Sequence, residues 1–283
     1  MSRQVLHLVD HMGLGGVQRI LSELVDSEHH NVYALRSSEK TIGAGPQEID
    51  TASSSSRYNL RCFLDVYRIM DSGEFDILQC HLIKSKLAGL LIKIISSRDF
   101  SLIFHEHGRV MRDNIFYEKF LYLSNKWVDR HITISKEAGN LLEKIGVPND
   151  EIDLIYNFAD RREFNPEAIE SFNLGNLPGV DSSNLNEGFV LGFAGRIIRL
   201  KGWRTLISAF REIEEDIELI IVGSGPEREV LEEEISGLEN ITYIGYLEDM
   251  RKLLAVIDCF VLPSHVDGSP MILYEVQSSG VPL

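Results

Sequence analysis

The sequence has few cysteines, no long hydrophobic run and no excess of basic charge. Its three cysteines, Cys62, Cys80 and Cys259, lack metal-site spacing, and such a sparse, odd number is typical of a reducing compartment. No apolar run is long enough to cross a bilayer, and the first residues lack the apolar core of a signal peptide. We therefore predict a cytoplasmic protein without a metal site.

The charge is strongly negative and unevenly distributed. A formal net charge of −15 argues against nucleic-acid binding, which requires a basic surface. Residues 1–165 hold 20 Lys and Arg against 23 Asp and Glu, a charge of −3, whereas residues 166–283 hold 8 against 20, a charge of −12. The first half can therefore approach an anionic membrane surface, which would repel the second half. Solvated acidic helices are the simpler interpretation of the same charges.

Apolar strands alternate with amphipathic helices along most of the chain. This alternation predicts parallel sheets with right-handed crossovers, and therefore a doubly wound α/β fold. Residues 165–188 are rich in turn formers, so we predict two Rossmann-like domains, 1–165 and 166–283. Residues 37–57 contain glycines, a proline and a run of four serines, which predicts a long mobile loop.

The stretch from Pro263 to Gly280 combines a strand end, a turn and a helix start. Ser269 is a good N-cap and Pro270 a good first helical residue, so a helix N-terminus follows the turn. Such a terminus attracts anions, because its backbone N–H groups and the helix dipole both favour negative charge. Asp267 and Glu275 bracket this turn, and a carboxylate at residue 275 can accept hydrogen bonds from two vicinal ribose hydroxyls. A solvated helix carboxylate is the alternative for Glu275.

Two cations follow the first strand of the second half, in the pattern Gly195-Arg196-x4-Lys201-Gly202. A guanidinium binds phosphate oxygens in pairs, and a nearby ammonium adds a point charge, so together they suit a diphosphate. Ordinary loop cations are the alternative. The Gly223–Pro226 segment is either a tight turn or a phosphate cradle, since a lone G-x-G is weak.

The first half offers a glycine-rich turn and a pair of histidines. The turn at residues 13–16 lacks the third glycine of a dinucleotide fingerprint, which disfavours a nicotinamide cofactor. His105 and His107 alternate at a strand end, and we expect their side chains to face opposite ways, with one toward the ligand cleft.

Taken in order, these motifs resemble the retaining glycosyltransferases of family 4, which have the two-domain GT-B fold. The resemblance covers nearly the whole chain, although Gln18, Phe158 and Asp267 stand where the family usually has Glu, Gly and Glu. It is carried by Gly13–Arg19, His107-Gly108, Ile134-Ser135-Lys136, Ile155–Asp160, Gly195-Arg196…Lys201-Gly202, Gly223–Pro226, Leu262-Pro263-Ser264 and Asp267-x7-Glu275.

The resemblance implies transfer of a sugar from a nucleotide-diphosphate sugar, the co-substrate, to a glycan or lipid-linked acceptor in surface polysaccharide synthesis. It implies a hexosyltransferase that retains configuration by front-face departure, in which the leaving phosphate accepts the acceptor proton and no metal or cofactor takes part. Arg196 and Lys201 would bind the diphosphate, Glu275 the ribose, and Asp267 and His107 the transferred sugar. The backbone of Gly15, Gly16, Gly195, Gly268, Ser269, Pro270 and Met271 would approach the donor.

Family members normally continue past the strand that residues 281–283 would start, so we expect a C-terminally truncated second domain. The first domain would contact the inner face of the membrane. Because of the truncation, a non-catalytic nucleotide-sugar-binding or interaction protein remains an alternative. A nucleotide-sugar epimerase of the same fold is another, and an NAD-dependent enzyme is more remote.

Overall fold

A computed structural model describes residues 3–13, 15–24, 29–36, 49–51, 60–108, 115–171, 177, 188–213, 215 and 217–283. The chain divides into two compact units, Met1–Asn157 and Phe158–Leu283. The division follows residue 157, against residue 165 in the sequence prediction. Each unit contains one parallel sheet with helices packed against it.

The sheet of the first unit has seven strands in the order β3-β2-β1-β4-β5-β6-β7. Every neighbouring pair is parallel, and the order reverses between β1 and β4. The carboxyl ends of strands at such a reversal form a crevice in which α/β proteins bind ligands. The strands are β1 (Val5–Val9), β2 (His30–Ala34), β3 (Ile49–Thr51), β4 (Ile77–Cys80), β5 (Ser101–Glu106), β6 (Arg130–Thr133) and β7 (Ile152–Leu154).

The helices of the first unit cover this sheet through apolar side chains. Residues from β4, β5 and four of the helices share the larger core, while β1, β2 and the first helix share a smaller one around Val9, Leu21 and Val32. The helices are α1 (Gly16–Leu24), α2 (Leu60–Ser72), α3 (Ile83–Ile95), α4 (Ile115–Ser124) and α5 (Lys136–Ile145), with 3₁₀ turns at Asn125–Trp127 and Asn149–Glu151.

One strand lies inside the segment that the sequence predicts to be a loop. Strand β3 pairs with β2 at the edge of the sheet, with Val32 opposite Ile49 and Ala34 opposite Thr51. The loop prediction is therefore wrong for residues 49–51, and its other residues lie outside the described ones. A three-residue edge strand is too short to show the alternation by which strands are recognised.

The second unit repeats the design with a four-stranded sheet in the order β10-β9-β8-β11. Its strands are β8 (Phe189–Ala194), β9 (Ile217–Val222), β10 (Ile241–Gly245) and β11 (Cys259–Phe260). Its helices are α6 (Pro166–Glu170), α7 (Trp203–Phe210), α8 (Arg228–Ile235), α9 (Arg251–Leu254) and α10 (Met271–Ser278), with a 3₁₀ turn at Arg199–Lys201. Helices α7 and α8 pack on one face of the sheet, and α6, α9 and α10 on the other.

Helices on both faces of parallel sheets confirm the predicted doubly wound α/β architecture. The strand order of the second sheet reverses between β8 and β11. The two segments that the sequence singles out, residues 195–202 and 263–280, follow these two strands.

Candidate functional site

The loop after β8, residues 195–202, is held by the backbone of the neighbouring turn. The N–H of Gly195 donates to the carbonyl of Val222 at 3.0 Å, and the N–H of Ile197 donates to that of Ser224 at 3.0 Å. Gly223 has a φ of 139°, and a Cβ on it would overlap the carbonyl oxygen of Gly195. The Gly223–Pro226 turn is therefore packed against the cation loop, which supports the interpretation of a tight turn.

One carboxylate that the sequence analysis missed connects the middle of this loop to the start of α7. Glu227 Oε1 accepts a hydrogen bond from the N–H of Arg199 at 3.1 Å, and its Oε2 accepts one from Nε1 of Trp203 at 2.9 Å. Trp203 is fully buried, and a buried indole N–H needs an acceptor. A tryptophan at the start of an apolar helix pattern could therefore have indicated a nearby acceptor, although not which one.

The loop after β8 contacts the segment after β11 through charge and backbone. Lys201 Nζ forms an ion pair with Asp267 Oδ2, and the two side chains are only 18% and 24% exposed. The N–H of His265 donates to the carbonyl of Leu200 at 2.9 Å. Gly202, with a φ of 71°, lies so close to Pro263 that a Cβ would overlap the Pro263 carbonyl oxygen. Arg196 is exposed on the same loop.

The start of α10 corrects the predicted cap. Pro270 is the N-cap, with extended backbone, and Met271 is the first helical residue, one position later than the sequence predicts. The Ser269 hydroxyl hydrogen-bonds the Tyr274 hydroxyl at 2.7 Å, so its side chain bonds a residue further along the chain. Gly268, Ser269, Pro270 and Met271 nevertheless lie at the N-terminus of a helix that follows β11, and the first N–H groups of a helix have no partner within it.

Glu275 is buried, with only 2% of its surface exposed. This burial argues against the alternative of a solvated helix carboxylate. A charged side chain is rarely buried without partners, so its position on α10 is a specific feature of the fold. The helix ends at Ser278, and Gly280, which has a φ of 77°, follows it beside the Pro166 ring.

In the first unit, Gly15 and Gly16 lie at the start of α1, on the crevice side of β1. The Gly15 carbonyl accepts a hydrogen bond from the Arg19 N–H at 3.1 Å, and both glycines are exposed. Gln18 is buried and donates from Nε2 to the carbonyl of His11 at 3.1 Å. The uncharged side chain thus closes the turn at the position where the family usually has Glu.

The two histidines at the end of β5 face the same way, so the predicted opposite orientation is wrong. Their rings stack with centroids 3.8 Å apart, because residues two apart in a strand share a face. His107 Nε2 lies 2.6 Å from Nδ1 of His81, which follows β4. Burial holds the pKa of His107 well below its usual range, so its ring is neutral at pH 7.

Helices α3 and α4 carry apolar side chains on their outer surfaces. On α3, Lys84 lies beside this surface, and on α4 Phe116 is 82% exposed. The exposed apolar residues are Ile83, Leu87, Leu91, Ile94 and Ile95 on α3, and Ile115, Phe116, Tyr122 and Leu123 on α4. Among the described residues, none of the helices has both the length and the apolar character needed to cross a membrane.

A family model described as Glycosyltransferase Family 4 matches residues 15–163, which is more than half of the chain. The chain belongs to glycosyltransferase family 4. A second model, described as Glycosyl transferases group 1, matches residues 188–283 of this family-4 chain, the part that contains the cation loop and α10.

Two curated relatives are moderately similar to the family-4 chain. The putative glycosyltransferase EpsF of Bacillus subtilis is 23% identical over 229 residues, which are 76% of this chain and 58% of EpsF. The UDP-Gal:alpha-D-GlcNAc-diphosphoundecaprenol alpha-1,3-galactosyltransferase of Escherichia coli is 23% identical over 242 residues, 79% of this chain and 61% of the relative. The chain thus spans about 60% of the length of these relatives.

A solved structure shares the fold. HepE of Anabaena, in complex with UDP and glucose, superposes with a TM-score of 0.78 and 18% sequence identity, over 99% of this chain and 79% of HepE. At this identity, the similarity shows a common Rossmann-like GT-B fold.

Proposed function

We propose that this family-4 chain transfers a sugar from a nucleotide-diphosphate sugar to a glycan or lipid-linked acceptor. The observation that carries the proposal is the pairing of Lys201 with Asp267 where the second sheet reverses. A diphosphate needs cations and helix N–H groups, and a sugar needs carboxylates. All of these groups follow the two strands at one reversal point.

The ion pair suggests how the donor enters. A bound diphosphate, with more negative charge than a carboxylate, would replace Asp267 as the partner of Lys201. Asp267 would then be released to accept a hydrogen bond from a hydroxyl of the transferred sugar. Arg196, exposed on the same loop, would bind a pair of phosphate oxygens, while Asp267 is paired with Lys201.

The buried Glu275 would hold the ribose. Glu275 lies one to two turns after Met271, the first residue of α10. The diphosphate would therefore bind at the N-terminus of this helix and the ribose further along it. Gly195 and Gly268 would allow the donor to approach the backbone closely. In the first unit, we propose that Gly15 and Gly16 approach the donor or acceptor and that His107 contacts the transferred sugar.

We further propose transfer with retention. The cations would stabilise the departing diphosphate, whose oxygen takes the proton of the attacking acceptor hydroxyl on the same face of the sugar. The name of the E. coli relative specifies an alpha-1,3 linkage. Nuclear magnetic resonance of the product made from an α-linked donor tests this directly, since an α-linked product supports retention and a β-linked product contradicts it.

The function is tested by incubating the chain with UDP-sugars and GDP-sugars, with and without lipid-linked acceptors, and identifying products by mass spectrometry. We expect transfer that depends on acceptor. Conversion of the donor without acceptor would favour an epimerase, and binding without turnover would favour an interaction protein. Replacing Arg196 or Lys201 with Ala should lower turnover about 10²–10³-fold, the effect of losing one charge-stabilising contact. Arg204→Ala is the matched control, because Arg204 is a cation on α7 that pairs with Glu234.

We also propose that the outer surface of α3 and α4 contacts a membrane that carries the acceptor. Exposed Leu87 and Leu91 are four residues apart, so they lie on one side of α3. Sedimentation with phosphatidylglycerol vesicles tests this contact. The double variant Leu87→Glu, Leu91→Glu should lose vesicle binding, whereas Val230→Glu, at an exposed apolar position on α8, should retain it. Equal binding by both variants would contradict the proposal.

A further inference from the structure

Histidines gather on one face of the first sheet, and the proposed transfer involves only His107 among them. His7 pairs with Gln79 in the register between β1 and β4, and residues two apart share a face, so Gln79 and His81 lie on the side of His7. The cluster is formed by His7, His30, His81, His105 and His107, from β1, β2, β5 and the ends of β4 and β5.

Four of these rings are joined nitrogen to nitrogen. His30 Nδ1 lies 2.7 Å from His7 Nε2, and His7 Nδ1 lies 2.9 Å from His81 Nε2. A third hydrogen bond extends this series, since His81 Nδ1 lies 2.6 Å from His107 Nε2. Each neutral imidazole has one N–H and one acceptor nitrogen. The N–H groups of the three ring-to-ring hydrogen bonds must therefore all point in the same direction along the series.

Two further ring nitrogens of the cluster take no part in these hydrogen bonds. Among the described residues, neither His105 Nε2 nor His107 Nδ1 meets a hydrogen-bond partner, although both atoms are buried. Leaving a buried polar atom unpaired costs about 1–3 kcal/mol, so the unpaired His105 Nε2 indicates a ligand at this position. One ring nitrogen from each of His81, His105 and His107 lies within 4.8 Å of those of the other two.

We propose that His81, His105 and His107 bind a divalent transition-metal ion, with Zn²⁺ as the best fit. Imidazole nitrogen is a preferred ligand of Zn²⁺, and three protein ligands leave the fourth tetrahedral position open for water or an oxygen ligand.

The proton balance is satisfied without losing a proton. If every N–H in the chain points from His107 toward His30, His81 carries its proton on Nε2 and donates to His7, and His7 donates to His30. In that arrangement His107 carries its proton on Nε2 and donates it to His81 Nδ1. When the metal replaces this hydrogen bond, the His107 proton moves to Nδ1, so that His81 Nδ1 and His107 Nε2 both become lone pairs and no net proton is lost. His7 and His30 thereby act as positioning residues that fix the tautomer of a ligand.

Gln79 can fix the tautomer of His105 in the same way. Its amide group lies 2.9 Å from His105 Nδ1. With its carbonyl oxygen turned toward that nitrogen, it accepts the Nδ1 proton and leaves Nε2 as a lone pair. Metal–nitrogen distances of about 2.0–2.1 Å separate tetrahedral ligands by about 3.4 Å, so the His81–His107 pair must open by less than about 1 Å.

The experiment uses the untagged chain, freed of metal with a chelator and titrated with Zn²⁺ and, separately, with Co²⁺. We expect one equivalent of each to bind, with the absorption bands of tetrahedral, nitrogen-ligated Co²⁺. His105→Gln should weaken Zn²⁺ binding more than about 100-fold, and Gln79→Leu about 10-fold. His29→Gln is the control, since His29 neighbours the cluster and hydrogen-bonds Gln4 instead.

A second readout separates loss of the site from loss of the fold. Zn²⁺ should raise the melting temperature of the native chain and of His29→Gln but not that of His105→Gln, whose far-ultraviolet circular dichroism should stay native. Zn²⁺ binding to the native chain that is no tighter than to the double variant His81→Gln, His105→Gln would overturn the proposal. No sugar donor is present in either measurement, so the outcome does not bear on the transfer reaction.

Discussion

The close contact between Gly202 and Pro263 connects the two segments of the proposed donor site, and a small side chain at residue 202 would disrupt it. Gly202 has a φ of 71°, and a Cβ there would overlap the Pro263 carbonyl oxygen. Carbon and oxygen atoms approach to about 3.3 Å at the closest, so Gly202→Ala must separate the two segments by over about 1 Å. The displacement moves Lys201, the preceding residue, away from Asp267.

The magnitude follows from this displacement. A side chain at positive φ costs roughly 1–2 kcal/mol, and relief of the overlap adds about 1–3 kcal/mol. A misplacement of about 1 Å can cost 10²-fold in rate, so we expect donor turnover by Gly202→Ala to fall about 100-fold. Urea unfolding and turnover are measured on the same preparation.

Gly237 provides the matched control. It has a φ of 83°, but a Cβ there meets nothing within 4 Å. Gly237→Ala should therefore lose about 1–2 kcal/mol of stability and retain its turnover. If Gly202→Ala and Gly237→Ala behave alike in both assays, the close contact between the two segments has no part in donor binding.

Other side chains give three further predictions. Lys86 and Glu106 form an ion pair at 2.5 Å, and their side chains are 2% and 6% exposed. Lys86→Met should lower the free energy of unfolding in urea by about 3–5 kcal/mol, because it leaves a buried charge unpaired. Adding Glu106→Leu should restore most of this stability, and a double variant as unstable as Lys86→Met would contradict the prediction. Burial lowers the pKa of His131 to about 4. Between pH 6.5 and 4 the unfolded chain therefore binds one more proton than the folded chain, and the stability of the folded chain decreases as the pH is lowered through this range. At pH 5 this loss is about 2 kcal/mol, and it should disappear from the pH slope of His131→Phe. Of the three thiols, Cys259 alone should react quickly with a disulfide reagent in the native chain, because Cys62 and Cys80 are buried; rapid reaction of all three would contradict the packing around β4 and α2.

The sequence predicted the parts of the site that depend on local patterns. The apolar run of β8, the glycines beside it and the helix after β11 are each visible in a short window. They placed Arg196, Lys201 and Asp267 after the carboxyl ends of strands, and Glu275 on the helix that follows. The pairing of Lys201 with Asp267 across 66 residues depends on the strand order, which no short window contains.

The errors have physical causes. The cap prediction failed by one residue because Ser269 hydrogen-bonds Tyr274 while Pro270 takes the N-cap position. The orientation of His105 and His107 was wrong because residues two apart in a strand share a face. The sequence showed only the pair His105 and His107, because the other three histidines of the cluster come from β1, β2 and the end of β4, and their spacing in the sequence resembles no metal motif.

The central claim is that the segments after β8 and β11 bind the diphosphate of a nucleotide sugar. Calorimetry that compares UDP with uridine, and GDP with guanosine, isolates the contribution of the diphosphate. With two cations each contributing about 1.5–3 kcal/mol, one nucleoside diphosphate should bind at least about 100-fold more tightly than its nucleoside, and Arg196→Gln should reduce that ratio at least about 10-fold. Equal affinity for nucleoside and nucleoside diphosphate, or a ratio unchanged in Arg196→Gln, would contradict the account.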